Sequence, residues 1–190
     1  MVPGDFRDFF TASASAGAAL LGLLFVAVSI SAERIFGRMA TPERRAVASS
    51  AFTALVNAFF ISIGGLLPGA SLGFIVLFFG AISVFNTVVV GVQLLQGQWR
   101  SRAKLSRAQL GLRIARGLAV VVISLGVYGY ETLCGRELVT SVRPSVVLTL
   151  GTLLLVVYGI GVARAWELLG ATPVGLLRWL NPLEGLDDQE

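Results

Sequence analysis

Long apolar runs alternate with short polar connections along the chain, and this pattern predicts its architecture. Five runs each have about the 20 residues that a helix needs to cross a hydrocarbon core of about 30 Å. They cover residues 9–31, 47–67, 70–95, 111–133 and 145–165. The pattern therefore predicts an all-α membrane protein, in which residues 1–171 form one bundle of five transmembrane helices.

The C-terminal segment 172–190 is too polar and too short to span a membrane. Its first half is apolar and carries Arg178 and Trp179, a combination that suits a short helix lying on the membrane surface. Its last residues, 184–190, are mostly acidic. We expect a short interfacial helix followed by an acidic tail.

Composition agrees with lipid as the main solvent. Charged residues make up 14% of the chain, whereas a soluble domain carries about 25%. The chain has one cysteine and no histidine, so a disulfide scaffold, the common zinc sites and histidine-based acid–base chemistry are not expected. We find no motif of an enzyme, so we expect a protein that is not an enzyme and needs no cofactor or metal.

The basic residues predict the orientation of the bundle. Twelve of the fifteen fall in the connections on one side, after predicted spans one, three and five. Lys and Arg accumulate on the cytoplasmic side, which places the N-terminus outside and the C-terminus inside. Trp99, Trp166 and Trp179 lie near that same side, where indole rings favour the headgroup region. The net charge of +4 is explained in this way without a nucleic-acid partner.

One connection is especially basic and gives candidate contacts to anionic lipid at the cytoplasmic face. Each such charge near the surface contributes about 1 kcal/mol to binding of anionic headgroups. An acidic partner surface would fit the same charges, and ordinary determination of topology explains them equally well. The residues are Arg100, Arg102, Lys104, Arg107, Arg113 and Arg116.

Small residues on the first predicted span form a candidate packing face. Ala14, Ala18 and Gly22 recur every four residues and make a ridge that allows another helix backbone to approach closely. Packing inside the same bundle is the interpretation we favour. The alternative is self-association of two copies.

Amide and hydroxyl groups on spans two and three are candidates for a polar layer or a solute path. Folding the two spans about residue 69 sets Asn57 at the depth of Ser83, and sets Asn86 near Ser50 or Thr53. Hydrogen bonds that hold the bundle, at about 0.6–2 kcal/mol each, are the interpretation we favour, and a hydrated path is the alternative. The full candidate set is Ser50, Thr53, Asn57, Ser83, Asn86 and Gln93.

Charged side chains are expected only near the membrane boundaries. With the fourth span ending at residue 133, Glu131 falls at its outer boundary. Cys134 then follows in the external loop, where an impermeant thiol reagent would reach it. The lack of a carboxylate at mid-membrane depth disfavours proton-coupled transport, because proton relays generally use one.

The first span gives a resemblance to a group of proteins. Residues 8–29, DFFTASASAGAALLGLLFVAVS, place small residues before a Leu/Val run. This segment resembles the first helix of small bacterial polytopic inner-membrane proteins that have no assigned activity. The resemblance covers 22 of the 190 residues. It implies a multi-pass location in the bacterial cytoplasmic membrane and a helical bundle, and it transfers no functional residues.

Two functions follow as hypotheses from this sequence. The first is a structural or modulatory role, in which the helices associate with a second copy or with a membrane-protein partner. The alternative is a channel or carrier for a small solute, built on the polar faces of spans two and three. A continuous hydrated lumen lined by Asn57, Ser83 and Asn86 would distinguish the second from the first.

Overall fold

The computed structural model describes residues 4–37, 41–68, 71–100 and 107–169. After a short 3-10 turn at Gly4–Phe6, the helices are α1 (Arg7–Ile30), α2 (Ala32–Phe36), α3 (Pro42–Leu66), α4 (Leu72–Arg100), α5 (Arg107–Thr140) and α6 (Pro144–Leu168). The described part of the chain contains no strand. The predicted interfacial helix and acidic tail, 172–190, lie outside the described residues.

Five of these helices are long and apolar enough to cross a membrane, which confirms the predicted number and the all-helical class. The candidate spans are Gly4–Ile30, Arg44–Leu66, Leu72–Gln96, Gly117–Thr140 and Pro144–Leu168. The fourth span differs from the prediction, because α5 continues seven residues beyond position 133. That extension changes the environment of every side chain near its end.

Local chemistry sets where two of the helices begin. The Thr41 hydroxyl accepts a hydrogen bond from the backbone N–H of Arg44 at 3.3 Å, and Pro42 occupies the first helical position. Pro144 occupies the same position in α6, after the extended residue Arg143. Proline is well tolerated there because its missing N–H has no partner within the helix in any case.

Helix α3 is the central element of the bundle, packing against α1, α4 and α6, while α4 packs most extensively against α5. Fully buried apolar side chains such as Leu55, Ile61 and Leu154 join α3 to its neighbours in one core. On the outside, large apolar residues including Phe85 and Leu148 are exposed, as expected where lipid is the solvent.

Successive spans run in opposite directions, so the bundle has two ends. We call the end at which α3 and α5 begin and α4 and α6 finish the basic end, because the Arg/Lys-rich connections lie there. The opposite end carries the short turn between α3 and α4 and the turn between α5 and α6. The cavity described below lies in the half of the bundle nearer the basic end.

The packing face of α1 differs from the predicted ridge. Ala18 and Gly22 are exposed, and a Cβ at Gly22 would meet nothing within 4 Å. The face turned to the bundle carries Ser13 and Gly17 instead, and a Cβ at Gly17 would overlap the hydroxyl of Tyr158. The intrachain packing role that we favoured for Ala14, Ala18 and Gly22 is therefore wrong for the last two, while Ala14 is half-buried.

The real α1 contact is polar at its centre. The Ser13 and Ser62 hydroxyls lie 2.7 Å apart, and the Tyr158 hydroxyl donates to the Ser13 carbonyl at 2.7 Å. These groups come from α1, α3 and α6, so one small cluster ties three helices together. Every polar atom in it finds a partner, which is what hydrocarbon surroundings require.

Two glycines bring the backbones of α4 and α5 into direct contact near the end opposite the basic one. A Cβ at Gly73 would lie 2.6 Å from the backbone carbonyl carbon of Leu138, and one at Gly135 would lie 2.8 Å from the backbone N of Leu77. Real Cβ atoms do not approach backbone this closely. The backbones of the two helices are therefore in van der Waals contact in this half of the bundle.

Candidate functional site: a polar cavity beside a buried carboxyl group

Asn86 on α4 joins the hydroxyl groups of α3. Its Nδ2 donates to Thr53 Oγ1 at 2.7 Å and lies 3.4 Å from Ser49 Oγ. The folded hairpin of spans two and three predicts the contact with Thr53, and the structure places the two residues together. Ser50 does not take part in this hydrogen bonding but lines the cavity described below.

Asn57 makes a different contact from the predicted one. Its Nδ2 donates to Glu131 Oε2 on α5 at 2.7 Å, rather than to Ser83. Both side chains are completely buried, at 0% exposure. Ser83 is also buried, and its backbone carbonyl accepts a hydrogen bond from the Thr87 hydroxyl at 2.7 Å. The interhelical pair therefore contains a carboxyl group in place of a serine.

Glu131 lies well inside its span, which corrects the boundary position that the sequence suggested. With a rise of 1.5 Å per residue, it is about 4 Å along α5 from the midpoint of Gly117–Thr140, and Asn57 is about 3 Å from the midpoint of Arg44–Leu66. The carboxyl group thus lies near the middle of a candidate span. The expected lack of a carboxylate in the middle of a span, which disfavours proton-coupled transport, is therefore wrong.

The spacing of residues along α5 could have predicted that Glu131 faces the interior of the bundle. Residues at intervals of three and four form its buried face: Ser124, Tyr128, Glu131, Gly135 and Leu138. An ionisable residue in step with the buried face of a span belongs to the interior of the bundle. Cys134 is buried on the same side of the helix, so the expectation that it lies in an external loop is wrong.

Two oxygen atoms of the Asn57–Glu131 pair are unusual. Asn57 Oδ1 and Glu131 Oε1 are both buried and have no hydrogen-bond partner among the described residues. Buried acceptors normally have partners, because each one left without costs about 1–3 kcal/mol. The two side chains thus share one hydrogen bond, and each has one acceptor oxygen without a partner.

A polar cavity lies between α3, α4 and α5 in the half of the bundle nearer the basic end, with about 50 Å³ of room for solvent. That is enough for a few water molecules, since one needs about 10–15 Å³ by this measure. Its polar lining comes from four helices and consists of Ser50, Thr53, Asn86, Thr87, Ser124, Tyr128 and Arg164. The remaining wall is aliphatic, with Val47, Val90 and Val120 among its members.

Tyr128 connects the cavity to the buried pair. It lines the cavity, and it precedes Glu131 by three residues, which is about one turn of α5. Its phenol is almost fully buried, at 3% exposure. The cavity therefore reaches a residue one helical turn from the carboxyl group.

A buried ion pair lies at the same cavity. Arg164 Nη1 on α6 lies 2.8 Å and 3.1 Å from the two carboxylate oxygens of Glu167, and both residues are buried. The pairing satisfies a charge that would otherwise be costly in hydrocarbon. Because Glu167 neutralises Arg164, this side chain gives the cavity no strong positive potential.

Other predicted residues fall outside this site. Gln93 is exposed on α4 and does not line the cavity. The predicted headgroup contacts cannot be placed: Arg102 and Lys104 lie outside the described residues, as do the side chains of Arg100, Arg107, Arg113 and Arg116. Among the residues that the structure describes, no three His, Cys, Asp or Glu side chains come together as a metal site would require.

An apolar groove continues from the cavity towards the lipid-facing surface of α4 and α5. It has about 170 Å³ of room and is lined by aliphatic residues such as Val88, Val92 and Leu118. Leu94, Gly117 and Val121 belong to both the groove and the cavity. The polar cavity thus borders an apolar surface on one side and the interior of the bundle on the other.

Comparison of the chain with protein-family models, with curated proteins and with solved structures finds no match. Any assignment of function therefore depends on the geometry of the cavity and the buried pair.

Proposed function

We propose that this protein is a channel or carrier for a small polar solute, and that the cavity between α3, α4 and α5 is part of its path. The observation that carries the proposal is the convergence of seven polar side chains from four helices on one cavity. Hydrogen bonding between helices needs pairs of groups, not a solvent-sized space. This space holds a few water molecules, and its polar groups lie in an otherwise apolar wall.

The buried carboxyl group shifts the preference between the two functions that the sequence left open. Ionisable residues within a membrane are costly, and they commonly mark ion or substrate pathways. Glu131 lies near mid-membrane depth, one turn from the cavity. Packing alone explains the contact between Asn86 and Thr53, but an aliphatic side chain at position 131 would pack α3 against α5 at lower cost.

The proposed setting is the cytoplasmic membrane of a bacterium, with the N-terminus outside and the C-terminus inside. The support is the excess of Lys and Arg in the connections at the basic end. In this orientation the cavity lies in the cytoplasmic half of the bundle, and anionic lipid is the proposed partner of the basic connection 100–116. The role is one of binding and passage, without catalysis.

Swelling of proteoliposomes tests the proposal. Vesicles that contain the protein are mixed with a concentrated solution of urea, glycerol or glycine, and light scattering follows solute entry. We expect faster swelling than in protein-free vesicles for at least one of these probes, and a reduction of about tenfold in Asn86→Leu. Gln93→Leu is the matched control, since it removes an exposed amide from the same helix. Equal rates in all vesicles would contradict the proposal.

A second candidate function is association through the ridge on α1. Its support is that Ala18 and Gly22 face outward, where no part of the described chain covers them. Small residues spaced by four suit close helix contact between two copies or with a membrane-protein partner. Photobleaching steps of a fluorescent fusion in nanodiscs count the copies. We expect Gly22→Ile to convert two-step into one-step traces, and Ala16→Ile, exposed on another face of α1, to have no effect.

A further inference from the structure

Asn57 Oδ1 and Glu131 Oε1 are the two buried oxygens without a partner among the described residues, and both are acceptors when Glu131 is ionised. A carboxylate has only acceptor oxygens, whereas a protonated carboxyl group also has one O–H donor. If Glu131 Oε1 carries a hydrogen atom, it can donate to Asn57 Oδ1 while Asn57 Nδ2 donates to Glu131 Oε2. One proton then satisfies both oxygens that have no partner among the described residues.

We propose that Glu131 and Asn57 form a proton-binding site, in which a protonated Glu131 makes two hydrogen bonds to Asn57 and gives up its proton to water in the cavity. This inference rests on the proposed function, because it names the proton as the ion that is coupled to solute movement. Binding forms the Oε1–H bond of Glu131. Release breaks that bond, the proton passes to a water molecule, and the carboxylate keeps the hydrogen bond from Asn57 Nδ2.

The charged groups around the pair favour this assignment. Helix α3 carries no ionisable side chain between residues 46 and 66, and α4 carries none between residues 72 and 99. On the buried face of α5 the nearest ones are Tyr128 and Cys134, each one turn away, whereas the neighbouring Tyr130 is exposed. On α6 they are Tyr158, which is bonded to Ser13, and Arg164, which is bonded to Glu167. No cation among the described residues is paired with Glu131.

A metal cation fits the pair less well than a proton. Hard cations such as Ca²⁺ take six to eight oxygen ligands, and Mg²⁺ takes six. Here two free oxygens are available, and no third carboxylate, cysteine or histidine of the described chain joins them. A single proton needs one donor oxygen and one acceptor oxygen, and the pair supplies both.

Infrared spectroscopy of the protein in lipid nanodiscs tests the assignment directly, because a protonated carboxyl group has a C=O stretch that a carboxylate lacks. At neutral pH we expect this band in the native protein and its loss in Glu131→Gln. Glu137→Gln is the matched control, since Glu137 is an exposed carboxylate on the same helix. We expect it to keep the band. A native spectrum without a band that Glu131→Gln removes would overturn the proposal.

The unfolding temperature of Glu131→Gln shows whether the band is lost because the protein has unfolded. Glutamine has the shape of the protonated acid and can make the same two hydrogen bonds to Asn57, so we expect Glu131→Gln to unfold at nearly the native temperature. Glu131→Ala should unfold at a clearly lower temperature. A Glu131→Gln protein as unstable as Glu131→Ala would indicate a carboxylate and contradict the proposal.

The exchange step has its own readout, separate from solute flux. In oriented vesicles, raising the pH of the solution that faces the Arg/Lys-rich end of the bundle should reversibly remove the Glu131 band. Ser124→Leu, which fills the cavity, should slow that removal at least tenfold. A band that ignores the pH on both sides would overturn the exchange step. If only the proposed solute path is wrong, the vesicles will not swell faster, but the Glu131 infrared band will still respond to pH.

Discussion

Asn57 Nδ2 lies 2.7 Å from Glu131 Oε2, and this hydrogen bond joins two helices across 74 residues of sequence. It joins α3 to α5 near the middle of both candidate spans, one helical turn beyond the series of polar residues that line the cavity, Ser50, Thr53, Asn86 and Tyr128. The series leads from the basic end of the bundle to mid-membrane depth. This series is the main support for the proposed solute path.

Removing the amide should cost more at Asn57 than at Asn86. Asn57→Leu leaves the whole Glu131 carboxyl group without a partner, so we expect a loss of at least about 2 kcal/mol in the free energy of unfolding. Asn86→Leu removes hydrogen bonds to hydroxyls at the edge of a cavity, and its loss should be about 1 kcal/mol. Unfolding of the purified variants in mixed micelles measures both. Equal losses would contradict the structural assignment of the Asn57–Glu131 pair.

The close contact of α4 and α5 should be intolerant of a single methyl group. Gly135→Ala places a Cβ 2.8 Å from a backbone nitrogen, so the helices must separate, and we expect a loss of about 1–3 kcal/mol. Gly126→Ala on the same helix meets nothing within 4 Å and should be neutral or slightly stabilising. Thermal unfolding in detergent compares the two. A neutral Gly135→Ala would mean that the helix backbones are not in contact there.

The corrected packing face of α1 gives a similar pair of variants. Gly17→Ala would force the Tyr158 hydroxyl away from the Ser13 carbonyl, so we expect a loss of about 1–3 kcal/mol. Gly22→Ala adds a methyl group on an exposed face and should leave the stability of the monomer unchanged. The same unfolding measurement decides. A greater loss at Gly22 than at Gly17 would restore the originally predicted face.

The single cysteine reports on the length of α5. Because Cys134 is buried two turns before the helix ends at Thr140, it should resist an impermeant maleimide until detergent is added. A cysteine placed at the exposed Ser141 in a Cys134→Ser background should react at once in intact cells, if that end of the bundle is outside. Rapid labelling of native Cys134 would contradict the extended helix.

The sequence predicted the number of spans because hydropathy reports directly on the solvent. It could not predict how each helix is rotated, since both the lipid-facing and the inward-facing sides of a span are apolar. For this reason the small-residue ridge was placed on the Ala18–Gly22 side, whereas Ser13 and Gly17 make the contact. The depth of a residue along its span is easier to predict than the rotation of the helix. Folding the hairpin at residue 69 correctly places Asn86 at the depth of Thr53.

Glu131 was misplaced for a related reason. Three charged residues in seven, Glu131, Arg136 and Glu137, lower the local hydropathy and end a predicted span early. In the folded chain Arg136 and Glu137 are exposed near the end of the helix, whereas Glu131 turns inward to Asn57. The rotation of α5 about its axis decides which of these side chains are exposed and which is buried. The sequence near Glu131 does not show this, because its partner Asn57 is 74 residues away.

The most direct test of the proposed path is whether a small ion reaches the cavity from the basic side. In a Cys134→Ser background, Ser124→Cys places a thiol in the cavity, and Val122→Cys places one at nearly the same depth on the lipid-facing side of α5. Vesicles of known orientation are exposed to Ag⁺ on one side, then denatured and labelled with maleimide to count the free thiols. We expect Ag⁺ on the basic side to block Ser124→Cys and to spare Val122→Cys. Full maleimide labelling of Ser124→Cys after Ag⁺ treatment from either side would contradict a solute path through this cavity.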